Sequence, residues 1–194
     1  WNYALSSLLC GATLCLYDGA TNYPSNTVLW DFAKRANVNH FGGGAAFYIA
    51  CMQANLPLKS LHLLLKTIGS TGSPLPPDAF NWLYEQFPDV HLISLSGGTD
   101  VCSAFLSGCP YLPVFEGEIQ CRTLWSAIAV YNDNNESVTN EVGELIIEKP
   151  MPSMPIYFWN DAQNERYKSS YFERFTDKWC HGDWIKQTEN GGFV

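Results

Sequence analysis

A chain of 194 residues that is 46% hydrophobic and 14% aromatic carries enough apolar material for a packed core, which excludes a disordered segment. Its 11 Lys and Arg against 19 Asp and Glu leave a formal net charge of -8, without any basic run. Nucleic acid and anionic membrane are therefore not expected as partners, whereas a nucleotide is compatible, because backbone N–H groups, helix N-termini and a divalent cation bind phosphate locally.

In chain order, Trp1–Cys10 reads as the end of a buried helix stopped by Gly11, and Ala12–Tyr17 as a strand closed by Asp18-Gly19. This apolar stretch has no basic flank and is interrupted by Asn2, Ser6, Ser7 and Thr13, so neither a signal peptide nor a membrane span is expected. Its start without Met points to a piece of a longer chain. After a turn at 22–25, Val28, Leu29, Phe32, Ala33 and Ala36 recur at helical spacing, and Val38–Phe41 reads as a short strand. Gly42-Gly43-Gly44 leads into a helix over Ala45–Ala54, and Leu61–Ile68 is an apolar run read as a strand. Pro76-Pro77-Asp78 opens a helix over Ala79–Phe87, with Pro and an acid in the first turn where both are favoured, and Val90–Leu95 is the next strand. Strands alternating with helices predict an α/β fold with a mostly parallel sheet. Beyond Pro110 the texture turns β-rich: Val114–Cys121, Ala127–Tyr131, Val142–Glu148 and Trp179–Ile185 read as strands, with a turn at Asp133-Asn134-Asn135. We place a subdomain boundary near residue 110, giving an α/β part over 1–110 and a β-rich part over 111–194.

The seven cysteines are odd in number, scattered and without a C-x-x-C pair, so they read as reduced thiols of a cytosolic protein, with neither disulfides nor structural zinc. Two loops, Gly69–Pro74 and Ser94–Asp100, close successive strands at the carboxyl edge where open α/β sheets bind ligands. Each is rich in Gly, Ser and Thr, so backbone and hydroxyls can approach phosphate or a purine; an ordinary strand-to-helix turn has the same composition. Neither is a Walker loop. Asp100 beside Thr99 suits one oxygen ligand to magnesium, and equally a capping acid. In Trp179-Cys180-His181-Gly182-Asp183-Trp184 a Gly precedes an acid within a strand. A carboxylate there can accept both hydroxyls of a ribose, or be solvated on a bulge. No role is assigned to His40, His62, His91 or His181.

These motifs together resemble those of the adenylate-forming enzymes, the family that includes acyl-CoA synthetases. Gly69-Ser70-Thr71-Gly72-Ser73-Pro74-Leu75 is similar to their adenine loop, and Ser96-Gly97-Gly98-Thr99-Asp100 to their Thr-Glu signature with Asp for Glu. Val142-Gly143-Glu144-Leu145 and His181-Gly182-Asp183 resemble their Gly-Glu-Leu strand and ribose-binding Gly-Asp. The finer likeness is to the branch that ligates acetoacetate: it is carried by Trp1-Asn2-Tyr3, Thr71–Leu75, Ser96–Asp100, Leu112-Pro113-Val114 with Gly117–Gln120, Lys149–Pro152 and Phe158–Asp161.

The resemblance implies part of the large N-terminal domain of such an enzyme, with ATP, Mg2+, coenzyme A and acetoacetate as its small-molecule ligands. Gly72, Ser73 and Pro74 would frame adenine. Ser94, Leu95, Ser96, Gly97 and Gly98 would line the adenylate, with Gly97 and Gly98 in the acyl pocket. Thr99 would meet phosphate, Asp100 magnesium and Asp183 the ribose. Related acetate enzymes carry an indole where Gly97 stands, so room for a longer acid is expected beside it. The family's phosphate loop would lie before Trp1, and its hinge, C-terminal lid domain and adenylating lysine after Val194, so these residues alone are expected to be inactive. The alternatives are a truncated, non-catalytic nucleotide-binding module and a ligase for another short-chain acid. Trp125 stands where the family has Gly, and overpacking or strain is expected there.

Overall fold

The computed structural model describes residues 2–194; Trp1, at the head of the Trp1-Asn2-Tyr3 motif, lies outside them. The chain forms two compact units. The first contains the residues up to Leu95 with Gly108–Gly117, and the second contains Ser96–Ser107 with Glu118–Val194. The chain thus leaves the first unit at Leu95, returns for Gly108–Gly117 and leaves again, rather than changing units once near Pro110.

The first unit holds α1 (Asn2–Leu9), α2 (Val28–Arg35), β1 (His40–Gly44), α3 (Ala45–Gln53), a 3-10 turn at Leu58–Leu61, β2 (Thr67–Thr71), α4 (Pro77–Gln86) and β3 (His91–Ser94). The sheet order is β1-β2-β3 and both pairings are parallel. In α2 an acid, Asp31, sits in the first turn and Lys34 and Arg35 in the last, matching the helix dipole at both ends. The core gathers on Trp30, which is fully buried, stacks on Phe41 with centroids 4.4 Å apart and donates its indole N–H to the Cys51 sulfur at 3.4 Å.

Gly42-Gly43-Gly44 leads into α3 as expected and also forms the end of β1, which therefore runs three residues beyond the expected strand. Tyr48 lies against the strand there, its hydroxyl donating to Gly69 O at 2.8 Å, and a Cβ on Gly43 would come within 3.0 Å of that hydroxyl. The missing side chains let strand and ring meet. β2 likewise begins later than its apolar run and includes Gly69, Ser70 and Thr71. The expected strand at Ala12–Tyr17 does not form: these residues are exposed and irregular, and no described strand pairs with them. An apolar run supplies material for a core, but a strand also needs a neighbour for its N–H and C=O groups.

The second unit comprises β4 (Ser96–Gly98), β5 (Ser103–Ser107), β6 (Cys121–Arg122), β7 (Ile128–Tyr131), β8 (Val142–Ile147), α5 (Glu165–Tyr171) and β9 (Trp179–Lys186), arranged as antiparallel sheets β4-β5-β6 and β7-β8-β9. Its core includes Phe105, Leu106, Ile128, Val130, Leu145, Ile147, Trp179 and Phe193. Of the expected strand Val114–Cys121 only Ile119, in an isolated bridge to Phe193, and Cys121, in β6, pair, because Pro113 removes a donor and Gly117 turns the chain with φ of 76°.

Helix α5 was not foreseen. Asp161, 9% exposed, accepts the N–H groups of Arg166 at 3.2 Å and Tyr167 at 2.9 Å and so anchors its start. Burial works against the Asp161 charge, yet the N–H groups of Tyr167, Arg166 and Glu165 outweigh it and hold the carboxyl below its ordinary range. Trp125 has φ of 71° and is 82% exposed, so the indole strains the backbone at a glycine-like position and overpacks nothing.

Candidate functional site

In the first unit the parallel strands β1, β2 and β3 end together, which places Gly72, Ser73 and Pro74 after β2 on the same edge as Ser94, the last residue of β3, and Leu95 after it. Gly72 has φ of 84°, a conformation glycine adopts freely, and open space lies where a side chain would stand. Leu95 donates its N–H to Ser70 O at 2.9 Å, prolonging the β2–β3 pairing up to the exit of the chain. Ser70 and Ser94 are register partners, both buried. The Ser70 hydroxyl has no hydrogen-bond partner, a state that disfavours the free protein and suits an edge that receives a polar ligand. A cavity of about 550 Å³ lined by Asn55, Lys59, His62 and Gln86 lies at the opposite, amino-terminal edge, before β2 and β3.

In the second unit Thr99 and Asp100 are exposed at the tip of the β4–β5 hairpin, where Cys102 donates its N–H to Thr99 O at 3.1 Å. The two glycines before them are required for packing. A Cβ on Gly97 would run into the carbonyl oxygen of Ser103 and come within 2.8 Å of the Ala104 Cα. One on Gly98 would come within 3.0 Å of the His181 ring. This corrects the expectation of room beside Gly97: the space a side chain would take is filled by β5, so an indole could enter only if the hairpin opened.

Asp183 stands on a bulge. Between the pairs Glu144 with Trp184 and Ile146 with Cys180, residues 181–183 oppose Leu145 alone. Gly182, at φ of 91°, makes the bend and donates its N–H to the Glu144 carboxylate at 2.7 Å. Asp183 is thereby pushed outward, its side chain 60% exposed, with one oxygen 3.5 Å from His181 Nε2. His181 is itself covered, edge-on to Phe105 with centroids 4.5 Å apart, and its Nδ1 accepts the indole N–H of Trp179 at 3.2 Å. Trp179 stacks on Tyr171 with centroids 3.5 Å apart and planes 14° off parallel. The Tyr171 hydroxyl in turn donates to Asp100 at 2.5 Å.

Burial lowers the His181 pKa and prevails over the carboxylates of Asp183, Glu144 and Asp100, which raise it. The ring is therefore neutral at neutral pH, and its approach to Asp183 is a dipolar contact, too long for a well-formed hydrogen bond and not an ion pair. Burial, reinforced by Asp100, pushes the Tyr171 phenol well above its ordinary value, so it remains a donor. The Cys180 thiol is pushed up to about 11 by burial and then by Glu144, which leaves it unreactive at neutral pH.

Of the residues expected to act, Ser96–Asp100 and Asp183 come together at one end of the second unit, tied through Gly98, His181, Tyr171 and Asp100. Gly72–Pro74, Ser94 and Leu95 share one edge of the first. Ser70, Glu144, Tyr171, Trp179 and His181 received no role from the sequence. The only available signal for the last two was their nearness to Gly182-Asp183. Tyr171 gave none, because it reaches Asp100 across 71 residues of chain.

A family model described as AMP-binding enzyme matches residues 1–158. Acetoacetyl-coenzyme A synthetase of Rhizobium meliloti (strain 1021) is 44% identical over 197 residues, covering 100% of this chain and 30% of that protein. Acetoacetyl-CoA synthetase of Xenopus tropicalis is 40% identical, again over 100% of this chain and 30% of its own length. Among solved structures, the acetoacetyl-CoA synthetase from Streptomyces lividans superposes with a TM-score of 0.92 at 42% identity, covering 100% of this chain and 31% of that one. An anthranilate CoA ligase shares the fold with a TM-score of 0.79 at 18% identity, over 94% of this chain and 34% of its own. The chain thus spans about three-tenths of the length of these acetoacetyl-CoA synthetases, and it belongs to the family of AMP-binding enzymes.

Proposed function

We propose that the protein carrying this chain joins acetoacetate to coenzyme A at the expense of ATP. The observation that supports this reading most directly is that likeness to acetoacetyl-CoA synthetases runs the whole length of the chain at 44% and 40% identity. A carboxylate oxygen of acetoacetate attacks the α-phosphorus of ATP; a P–O bond forms, the bond to pyrophosphate breaks, and acetoacetyl-AMP results. The CoA thiol, losing its proton, then attacks the acyl carbon and AMP departs. Such chemistry draws its rate mainly from positioning and charge neutralisation.

The residues present suit these demands. Asp183, exposed on its bulge, would accept both hydroxyls of a ribose, which a free carboxylate can do. Gly72, Ser73 and Pro74 form a side-chain-poor edge suited to a purine, and Thr99 offers a hydroxyl and an N–H to phosphate. Mg2+ fits this chain as an ion that arrives with phosphates. Among the described residues no three His, Cys, Asp or Glu gather into a metal cage, and Mg2+ ordinarily keeps several waters and takes one or two carboxylates plus phosphate oxygens. Asp100 supplies one such carboxylate, and the ion when bound would neutralise charge on the departing pyrophosphate.

The test is an AMP-release assay of the whole protein with ATP, CoA and a panel of acetoacetate, acetate, propionate and 3-hydroxybutyrate. Acetoacetate is expected to give the highest kcat/KM, by about tenfold or more, since one methylene or hydroxyl is worth that much in a shaped pocket. A higher value for another acid overturns the substrate, and absence of AMP formation with every acid favours a nucleotide-binding module without catalysis.

A further inference from the structure

We propose that Tyr171, Trp179 and His181 form an aromatic ladder of positioning residues that orients the two carboxylates of the second unit, Asp100 and Asp183. The proposal rests on the nucleotide-binding reading of those two acids.

The contacts form a chain from one acid to the other. Tyr171, the last residue of α5, donates its hydroxyl to Asp100 Oδ2 at 2.5 Å. Its ring lies flat on Trp179, which is 1% exposed and is further clasped edge-on by Tyr167 and Phe172 at 6.1 and 6.0 Å. The Trp179 indole can only donate, so the His181 Nδ1 that meets it at 3.2 Å must accept, and the imidazole proton is confined to Nε2. That nitrogen is the one facing Asp183, 3.5 Å from Oδ2.

A buried indole therefore selects the tautomer on one side and backs the phenol on the other. The acids themselves are exposed, and exposed carboxylates sample several rotamers unless neighbours restrain them. Packing alone would need only the rings. The polar tips of Tyr171 and His181 turn instead toward the two acids assigned to magnesium-bound phosphate and to ribose. With one lone pair of Asp100 Oδ2 engaged by the phenol, the carboxylate is held in one rotamer and keeps lone pairs free for a cation.

The test uses the whole protein and calorimetric nucleotide binding, with Mn2+ replacing Mg2+ as a probe. Tyr171→Phe keeps the stacked ring and removes the donor. It is expected to raise the Mn2+ concentration for half-maximal ATP binding about tenfold, the worth of one hydrogen bond to a charged group, while metal-free ATP affinity and chemical denaturation stay at wild-type values. His181→Leu is expected to weaken ATP about threefold, the cost of ordering a carboxylate rotamer that the imidazole no longer restrains, and to leave 2′,3′-dideoxy-ATP, which lacks the ribose hydroxyls, unaffected; His181→Gln, which keeps a donor near the Nε2 position, restores ATP binding. Equal loss with both nucleotides, or loss that tracks stability, makes the ladder merely structural and overturns the proposal. Asp100→Asn and Asp183→Ala separate its failure from that of the underlying reading. If these alter metal dependence and ATP affinity while the ladder variants behave as wild type, only the ladder falls. If the acid variants also behave as wild type, the assignment of the two acids falls with it.

Discussion

The candidate edge of the first unit is made of glycine, serine and proline at the ends of parallel strands, whereas the candidate end of the second is made of carboxylates beside aromatic rings and a bulge. In the first, strand order alone brings Thr71 and Ser94 to one edge, and side chains near the ligand position are small or absent. In the second, each acid depends on one or two named neighbours: Asp100 on Tyr171, Asp183 on Gly182 and Glu144. Sensitivity to substitution should follow this difference. The first unit should fail through its core, and the second through individual contacts near the site.

Trp30→Ala attacks the first unit where it is strongest. It removes a fully buried indole together with its stack on Phe41, and is expected to cost about 3–5 kcal/mol of stability in urea denaturation. A loss below 1 kcal/mol would mean that the aromatic cluster does not hold the sheet together. Gly97→Ala probes the second unit, where the added methyl meets the Ser103 carbonyl. A cost of about 1–3 kcal/mol is expected from overpacking, and a neutral result would show that the β4–β5 hairpin opens easily, restoring room for a side chain beside Gly97.

The anchor of α5 gives a pH test. The Asp161 carboxyl is held below its ordinary value of 3.8, so its stabilising effect is complete above that pH and is lost as pH falls through the lower folded value. Near-ultraviolet circular dichroism from the Tyr171–Trp179 stack should therefore fade below about pH 4, and Asp161→Asn should show the faded signal already at pH 7. An acid-insensitive signal in both proteins would detach Asp161 from the stack. The smallest change is expected at Trp125→Gly, which relieves a left-handed φ and should raise stability by about 0.5 kcal/mol, the strain relieved less the extra freedom of unfolded glycine. A loss would show that the exposed indole is held by its surroundings.

Much of the framework was legible because it depends on local pattern. Helical spacing at Val28–Ala36 and Ala45–Ala54 and the Pro-Pro-Asp start of α4 located three helices to within a residue or two. The loops after β2 and β3 were expected at one edge, and the parallel sheet does bring their strand ends together there. Two expected strands failed for complementary reasons: Ala12–Tyr17 is apolar but has no partner, and Val114–Cys121 is broken by Pro113 and the turn at Gly117. Helix α5, with a polar sequence, rests on Asp161 and on Trp179, contacts that no spacing rule reveals.

By itself, the sequence determined the family, the order of its motifs and the types of residue available for adenine, phosphate and ribose. The tertiary structure alone decided that Ser70 ends buried without a partner, that β5 fills the space beside Gly97, and that Tyr171 reaches Asp100. Periodicity and turn chemistry act within a few residues, so they can be read along the chain. Which side chain fills a given space depends on how distant segments pack, and only the folded chain contains that information.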